Sequence, residues 1–333
     1  MGTVYVSTDD AFIGKTDERL RVRANKETLL DVPMIKVDGV VVLGRATVSP
    51  AAMMELLSRN IPLSFMTGTG RFLGRLEPEL NKNVFVRAAQ WGAAGESERA
   101  VHVVRGFVRG KLKSYRQLLL RAQREGKCKG DGGIGRLEGA IAQIEKAEGI
   151  DVLRGLEGAG SAAYFACFDG LIRNREFAFK TRCRRPPTDP VNALLSFGYS
   201  LLVHDVQGAL NVVGFDPYLG YLHTQRYGRP SLALDLMEEF RPLVVDAMVL
   251  AAINRRALSV GDFESEDLSR AVSLTDEGRR TFLRLYEQKK QSKFKHPVMG
   301  RQCSYQEAFE IQGRLLAKYL MGEVEQYPPL VLR

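Results

Sequence analysis

Residues 219–242 read LGYLHTQRYGRPSLALDLMEEFRP, and the rest of the chain is interpreted around this stretch. His223 is followed by small and turn-forming residues and then by a predicted helix. Asp235 and Glu238 are three positions apart on that helix, so their carboxylates face the same side. Apolar residues flank both acids, and burying them is costly unless a positive charge meets them. The stretch therefore predicts either a mixed histidine and carboxylate metal site or a solvated helix face on which Arg241 pairs with an acid.

The overall composition is that of an ordinary soluble protein. The chain has 333 residues, of which 45% are hydrophobic and 26% charged, enough for a sizeable core and two domains. No apolar run is long enough to span a bilayer, and the N-terminus MGTVYVSTDD lacks the pattern of a signal peptide. We therefore expect a cytoplasmic protein without a membrane partner.

The cysteines are too far apart in sequence to form a recognisable framework. None of them belongs to a C-x-x-C motif, so neither a zinc ribbon nor a disulfide scaffold is supported. We expect free thiols at all four positions, which are Cys128, Cys167, Cys183 and Cys303.

The N-terminal part of the chain has the sequence pattern of a small β-rich domain. Short runs of Val, Ile and Thr predict strands, with turns at Asp9-Asp10 and Asp38-Gly39. Ser49 and Pro50 predict the N-cap and first position of a helix. The TGTGR sequence at 67–71 lacks the G-K-[ST] ending of a phosphate loop, so it predicts a hairpin turn and no nucleotide cofactor. This domain is predicted to cover residues 1–78.

From residue 79 to residue 333 the patterns become helical. The longest amphipathic run covers residues 97–124, and the glycine-rich segment 125–136 after it predicts a loop. Asp151 is the predicted cap of the next helix, and an apolar helix is predicted over 243–258. The predicted fold class is thus α+β, with a small β-rich domain followed by a larger all-α domain.

Glu157 is a second candidate for acid chemistry. It lies in LEGAGSAAYF, at residues 156–165, where small residues permit another helix to approach closely. An acid in so tightly packed a segment needs a partner. That partner is either Arg154, one turn earlier, or a metal ion shared with His223 and Glu238.

Basic residues outnumber acidic ones, giving a formal net charge of +9. Their clustering favours a polyanionic partner, although each cluster alone is also typical of a solvated helix face. The three clusters are Lys111, Lys113, Arg116, Arg121, Arg124, Lys127 and Lys129; Arg182, Arg184 and Arg185; and Lys289, Lys290, Lys293 and Lys295. His296 follows the third cluster in the basic segment KFKHPVMG, and we expect it at the surface.

Four separated motifs together resemble one known family. The segment RCRRPPTDPVNALLSFGYSLL at 182–202 combines with LEGAGSAAYF, GFDPYLGYLH at 214–223 and SLALDLMEEFRP at 231–242. In this order they resemble the CRISPR-associated integrase of spacer acquisition (Cas protein one), and the resemblance covers nearly the whole chain. It implies an N-terminal β domain, a C-terminal α-helical domain and a homodimer. It also implies a heterohexamer, in which two such dimers bridge a dimer of the second CRISPR-associated protein (Cas protein two).

The resemblance also assigns the site residues. The family's metal ligands match Glu157, His223 and Glu238, which are then expected to hold Mg²⁺ or Mn²⁺. Asp235 matches a further acidic position, where it could orient His223 or a water on the metal. Asn192 matches a polar position that we include among the DNA-contacting candidates.

The expected reaction is metal-dependent DNA strand transfer. A 3′-OH end of a short duplex would attack repeat DNA in a transesterification, with Glu157, His223, Asp235 and Glu238 forming the catalytic site. Arg182, Arg184 and Arg185 are candidates for phosphate contacts, or else structural partners of the acids. Two alternatives remain: a metal-dependent nuclease on branched or single-stranded DNA without integration, and a catalytically silent DNA-binding scaffold.

Overall fold

The computed structural model describes residues 2–77, 83–95, 97–126, 132–267 and 270–332. The chain forms two compact units, one of residues 1–80 and 274–287 and the other of residues 81–273 and 288–333. The domain boundary that we predicted, between residues 78 and 79, falls outside the described residues. The assignment of residues 274–287 to the first unit has no counterpart in the sequence prediction, because amphipathic periodicity does not specify which core a helix joins.

The first unit contains two four-stranded sheets and one complete helix. Strand order is β1-β5-β7-β8 in one sheet and β4-β3-β2-β6 in the other. Their bounds are β1 (Gly2–Val6), β2 (Ala11–Thr16), β3 (Arg19–Ala24), β4 (Glu27–Pro33), β5 (Val37–Leu43), β6 (Ala46–Val48), α1 (Pro50–Ser58), β7 (Leu63–Met66) and β8 (Phe72–Leu76). Both sheets and α1 contribute buried apolar residues to one hydrophobic core.

In this unit the predicted N-cap of α1 is confirmed, and one predicted turn is wrong. Ser49 Oγ accepts a hydrogen bond from the Ala52 N–H at 3.2 Å, and Pro50 opens α1, as predicted. The turn predicted at Asp38-Gly39 is wrong, since both residues lie within β5 and Gly39 pairs with Thr3. Strand pairing on both edges of β5 therefore overrides a local turn signal.

The second unit is mainly helical. The helices and strands that follow along the chain are α2 (Val84–Gly95), α3 (Ser97–Arg124), α4 (Gly133–Ile144), α5 (Ile150–Ala166), α6 (Pro190–Val213), α7 (Ser231–Leu236), α8 (Ala247–Asn254), β9 (Phe263–Ser265), β10 (Val272–Leu274), α9 (Asp276–Gln291), β11 (Lys293–Lys295), β12 (Gln302–Ser304) and α10 (Tyr305–Leu320). Helix α9 and β10 each have residues in both units. The predicted α+β class is confirmed, although the part predicted as all-α also contains short strands.

Helix α3 forms the centre of the second unit. Its 28 residues match the predicted span, and Phe107, Leu112 and Tyr115 of the predicted apolar stripe are buried. It packs against α4, α5 and the turns at 237–246. A polar side chain on this stripe of α3 is therefore buried inside the second unit.

Three predicted element boundaries need correction. Helix α4 begins at Gly133, inside the segment predicted to be a loop. Gly149 occupies the N-cap of α5, whereas Asp151 lies in its first turn and pairs with Arg154. Residues 241–246 form a π-helical turn before α8, because Pro242 has no N–H with which to continue a regular helix.

Two further predictions concern individual side chains. Cys167, Cys183 and Cys303 are free thiols as predicted, and Cys128 lies outside the described residues, as do Lys127 and Lys129. His296, which we expected at the surface, is buried, and its Nδ1 accepts hydrogen bonds from the N–H groups of Val298 and Met299 at 3.3 Å each. Within the described part of the chain, no helix is both long and apolar enough to cross a membrane.

Candidate metal centre

A fully buried carboxylate holds the candidate histidine in a fixed orientation. Asp235, near the end of α7, accepts hydrogen bonds from the N–H groups of Tyr221 at 2.6 Å, Leu222 at 2.9 Å and His223 at 2.9 Å. Its Oδ1 also lies 2.7 Å from Nδ1 of His223. A neutral His223 that donates its Nδ1 proton to Asp235 carries a lone pair on Nε2, the form in which imidazole binds metals.

Close backbone packing makes this arrangement possible. A Cβ atom at Gly220 would lie 2.6 Å from the carbonyl carbon of Ser231 and 2.7 Å from Oδ2 of Asp235. Any side chain there would separate the segment that carries His223 from the start of α7. Glycine is therefore required at position 220 for the two elements to meet.

Glu238 lies beside the imidazole but not on the same helix as Asp235. Helix α7 ends at Leu236, and residues 237–239 form a 3-10 turn, so the predicted single helix face is replaced by two consecutive elements. Oε1 of Glu238 is 3.8 Å from Nε2 of His223 and 3.3 Å from Nη2 of Arg241. Glu238 thus lies near the His223 imidazole, as the metal hypothesis predicted. It also pairs with Arg241, as the alternative predicted.

Glu157 joins the same cluster through a lysine. Nζ of Lys111, on α3, pairs with Oε1 of Glu157 on α5 and lies 2.5 Å from Oε2 of Glu238. Arg154, the alternative partner of Glu157, instead donates to the carbonyl oxygen of Leu222 at 2.9 Å. The acid in the small-residue segment therefore meets the second glutamate through the shared Lys111 ammonium, and that glutamate lies beside the histidine.

Lys111 is the site residue that the sequence analysis did not identify. We grouped it with the surface cluster of bases, but only 2% of its side chain is exposed. The signal was present, because position 111 lies four residues after Phe107 and four before Tyr115, both on the buried stripe of α3. A lysine at that position has to find acids inside the protein.

The cations dominate the electrostatics of Glu238. Burial alone would raise its pKa, but the charges of Arg241 and Lys111 outweigh that effect and lower the pKa to about 2. The carboxylate is therefore ionised at neutral pH. An ionised and almost completely buried acid is a strong ligand for a cation.

The side chains fit a divalent cation, although they do not form a ready-made ligand set. Among the described residues, no group of three His, Cys, Asp or Glu side chains has the spacing of a metal site, since the Lys111 ammonium lies between the two glutamates. That ammonium occupies a position where a cation is favoured. Oε2 of Glu238 is buried and faces this ammonium, so a metal would bind it only in place of the ammonium. Carboxylates with one imidazole suit Mg²⁺ and Mn²⁺.

A second polar layer lies behind Glu238. The guanidinium of Arg241 is 4.7 Å from the ring centroid of Tyr199, and the hydroxyl of Tyr199 donates to Oδ1 of Asp246 at 2.5 Å. Burial raises the pKa of Asp246 to about 6, against the opposing effects of the Tyr199 hydrogen bond and the Arg241 charge. This layer fixes Arg241 against Glu238.

The candidate DNA contacts fall into two groups. Arg184 and Arg185 are exposed. Arg182 donates to the Cys183 carbonyl at 2.6 Å and to Oδ1 of Asn192 at 2.7 Å. Asn192 is fully buried, and its amide nitrogen donates to the Thr181 carbonyl at 2.8 Å. In this structure Arg182 and Asn192 stabilise the start of α6, so the exposed pair remains the better candidate for contacting DNA.

Comparison with known proteins places this geometry in a family. The model of the CRISPR associated protein Cas1 family matches residues 4–288. The chain belongs to the Cas1 family. This confirms the membership predicted from the four motifs. The CRISPR-associated endonuclease Cas1 3 of Thermus thermophilus is 39% identical over 100% of this chain and 98% of its own length.

Solved structures agree with the Cas1 assignment. A Cas1 protein from Thermotoga maritima superposes with a TM-score of 0.81 at 25% identity, covering 96% of this chain and 97% of that one. A chain of a partial Cas6-RT-Cas1–Cas2 complex has a TM-score of 0.69 at 25% identity and covers 100% of both chains. The fold is therefore shared with a solved Cas1 protein.

Proposed function

We propose that this protein is a divalent-metal-dependent DNA integrase of CRISPR adaptation. In the proposed reaction, the 3′-OH end of spacer DNA attacks a phosphodiester of the CRISPR repeat, and the repeat strand's own 3′-oxygen leaves. The observation that carries the proposal is the meeting of Glu157, His223 and Glu238, from three separate parts of the chain, in one partly accessible cluster. Membership of the Cas1 family supports the substrate class.

Glu157, His223 and Glu238 would hold Mg²⁺ or Mn²⁺. When bound, the metal would supply Lewis-acid stabilisation of the charge that develops on the phosphate. His223 and Glu157 each have 21% of the side chain exposed, whereas Glu238 has 2%, so DNA would approach from the side of His223 and Glu157. Asp235 would keep the proton at Nδ1 of His223 and thereby leave Nε2 available.

Arg184 and Arg185 are proposed to bind DNA phosphates. They are exposed in the segment before α6, and neither side chain is needed to hold that segment in the way that Arg182 is. Replacing both with Gln should reduce the dependence of DNA affinity on salt by about one to two units of slope. The same double replacement at the exposed Arg255 and Arg256 provides a control for the change in net charge.

We further propose that the protein acts as a homodimer in a heterohexamer with the second CRISPR-associated protein. Support comes from the solved partial Cas6-RT-Cas1–Cas2 complex, one chain of which matches this protein over the full length of both. Sedimentation of the purified protein with and without that partner tests the assembly. A monomer that does not associate with the partner would contradict it.

Strand transfer by the purified protein tests the proposed reaction. A labelled duplex with free 3′-OH ends is incubated with a supercoiled plasmid carrying a CRISPR repeat, with Mn²⁺ or EDTA and with or without the second CRISPR-associated protein. Joined product should require the metal and should be lost in the His223→Ala variant. Metal-dependent cutting without joining would favour the nuclease, and DNA binding indifferent to metal and to His223 would leave only the scaffold.

A further inference from the structure

Lys111 has an unusual position for a lysine. Its side chain is 2% exposed, and its ammonium lies between the carboxylates of Glu157 and Glu238, the only two acids with which it forms ion pairs in the described chain. The ring centroid of Tyr115, one turn further along α3, is 5.5 Å from Nζ. One face of that ring is covered by Tyr164, whose centroid is 3.8 Å away. The lysine is therefore fixed by its surroundings and has no contact with bulk solvent.

The two oxygens of Glu238 are divided between different cations. Oε1 faces Arg241 at 3.3 Å and His223 Nε2 at 3.8 Å, whereas Oε2 faces Lys111 at 2.5 Å. The Lys111 contact is a short ion pair between opposite charges. Lys111 thus neutralises the oxygen of Glu238 that does not face Arg241.

Charge balance makes Lys111 and a divalent cation competitors. A cation shared by Glu157 and Glu238 would lie close to the ammonium, and two like charges at such a distance in a buried site repel strongly. Withdrawing the ammonium removes that repulsion and frees an oxygen on each glutamate. Without either cation, Glu157 would lose its ion-pair partner, and Oε2 of the buried Glu238 would have no positive charge beside it.

We propose that Lys111 is the counter-ion of the metal-free site and is displaced when a divalent cation binds. Metal binding is then an exchange of one cation for another, and Lys111 limits metal affinity while stabilising the protein before the metal arrives. This inference rests on the metal site of the proposed function. It adds a role for a lysine that makes no contact with solvent in the metal-free state.

The first experiment measures Mn²⁺ affinity without DNA. Free Mn²⁺ is quantified by its EPR signal for the wild-type protein, for Lys111→Met and for Lys113→Met, a control two positions along the same helix. We expect Lys111→Met to bind Mn²⁺ at least tenfold more tightly than the wild type, and Lys113→Met to match the wild type. In EDTA, Lys111→Met should melt at a lower temperature, and Mn²⁺ should raise its melting temperature more than that of the wild type.

The second experiment uses the wild-type protein and so does not depend on a variant that folds. Acetylation of Lys111 by acetic anhydride is followed by mass spectrometry in EDTA and in saturating Mn²⁺. We expect protection in EDTA and a several-fold rise in modification with Mn²⁺, because the displaced amine reaches solvent. Unchanged protection at saturating metal would overturn the exchange.

The outcomes separate this inference from the function on which it rests. Equal or weaker Mn²⁺ binding by Lys111→Met, with binding abolished in Glu238→Gln, would overturn the exchange and leave the metal site standing. Failure of the folded wild type, Lys111→Met and Glu238→Gln to bind Mn²⁺ would overturn both.

Discussion

Oδ1 of Asp235 lies 2.7 Å from Nδ1 of His223, and the same carboxylate accepts the backbone N–H groups of residues 221, 222 and 223. One buried acid thus fixes both the ring and the backbone that carries it. The opposite ring nitrogen is left facing Glu238. This relationship explains how a flexible loop residue can be held with the precision of a residue in a regular element.

Replacing Asp235 with Asn should weaken the metal site. The amide presents a donor to N–H groups that need an acceptor and no longer fixes the Nδ1 proton of His223, so Mn²⁺ affinity should fall by about 10- to 100-fold. Isothermal titration with Mn²⁺ measures this. The Asp262→Asn variant, which alters the cap at Ser259, should retain wild-type affinity. Equal affinities in both variants would show that Asp235 does not position His223.

Gly160 should be essential for bringing Glu157 to the site, whereas Gly158 should not. A Cβ at position 160 would overlap the side chain of Leu112 on α3, but at position 158 it would meet nothing within 4 Å. Gly160→Ala should therefore lower the free energy of unfolding by about 1–3 kcal/mol. Gly158→Ala should raise it by up to about 1 kcal/mol because alanine favours the helix. Urea denaturation of both variants checks this pair, and a similar effect at the two positions would contradict it.

The sequence predicted what depends on local chemistry and on motifs. The cap at Ser49, the span of α3 and the small-residue approach of α5 follow from residue types at fixed spacing. The segments that carry Glu157, His223 and Glu238 were found because four motifs occur in one order. Their convergence required the family resemblance, since no local pattern brings residues 157 and 223 together.

What failed depends on tertiary contacts. Lys111 and Lys290 appeared to belong to solvated basic faces, yet both are buried and each lies near an acid, 3.2 Å from Asp205 in the case of Lys290. His296 in a basic segment was expected at the surface but is buried. The burial of a lysine or histidine in a basic segment cannot be predicted from the neighbouring bases alone. It can be predicted only when the position of that residue is compared with the apolar stripe of its helix.

Asp246 should make stability depend on pH. Its pKa is raised to about 6 in the folded protein from 3.8, so the folded state binds this proton more tightly than the unfolded state. Its contribution to the free energy of unfolding therefore falls as pH rises from about 4 to about 6, by about 3 kcal/mol. Urea denaturation between these pH values measures it. Asp246→Asn should lose this part of the fall and keep the part that comes from the buried Glu239, whose pKa is raised to about 7. The exposed control Asp151→Asn should keep all of it, and parallel curves for all three proteins would contradict the assignment.

Arg241 should contribute to stability as well as to the site. It is buried against Glu238 and over the ring of Tyr199, so Arg241→Met leaves an acid with one cation fewer and should cost about 3–5 kcal/mol of unfolding free energy. Arg314→Met removes an exposed pair with Glu310 and should cost less than about 1 kcal/mol. Thermal and urea unfolding check both. A loss at Arg241 no greater than that at Arg314 would show that Arg241 is not a necessary partner of Glu238.

The central claim is that Glu157, His223 and Glu238 form one metal centre, and anomalous diffraction from crystals soaked in MnCl₂ tests it most directly. We predict a single strong Mn²⁺ peak in contact with both carboxylates and Nε2 of His223, with the Lys111 ammonium withdrawn from between the glutamates, and no such peak in His223→Ala crystals. Mn²⁺ peaks elsewhere in the crystal but none at this cluster, with Lys111 still bridging Glu157 and Glu238, would contradict the account.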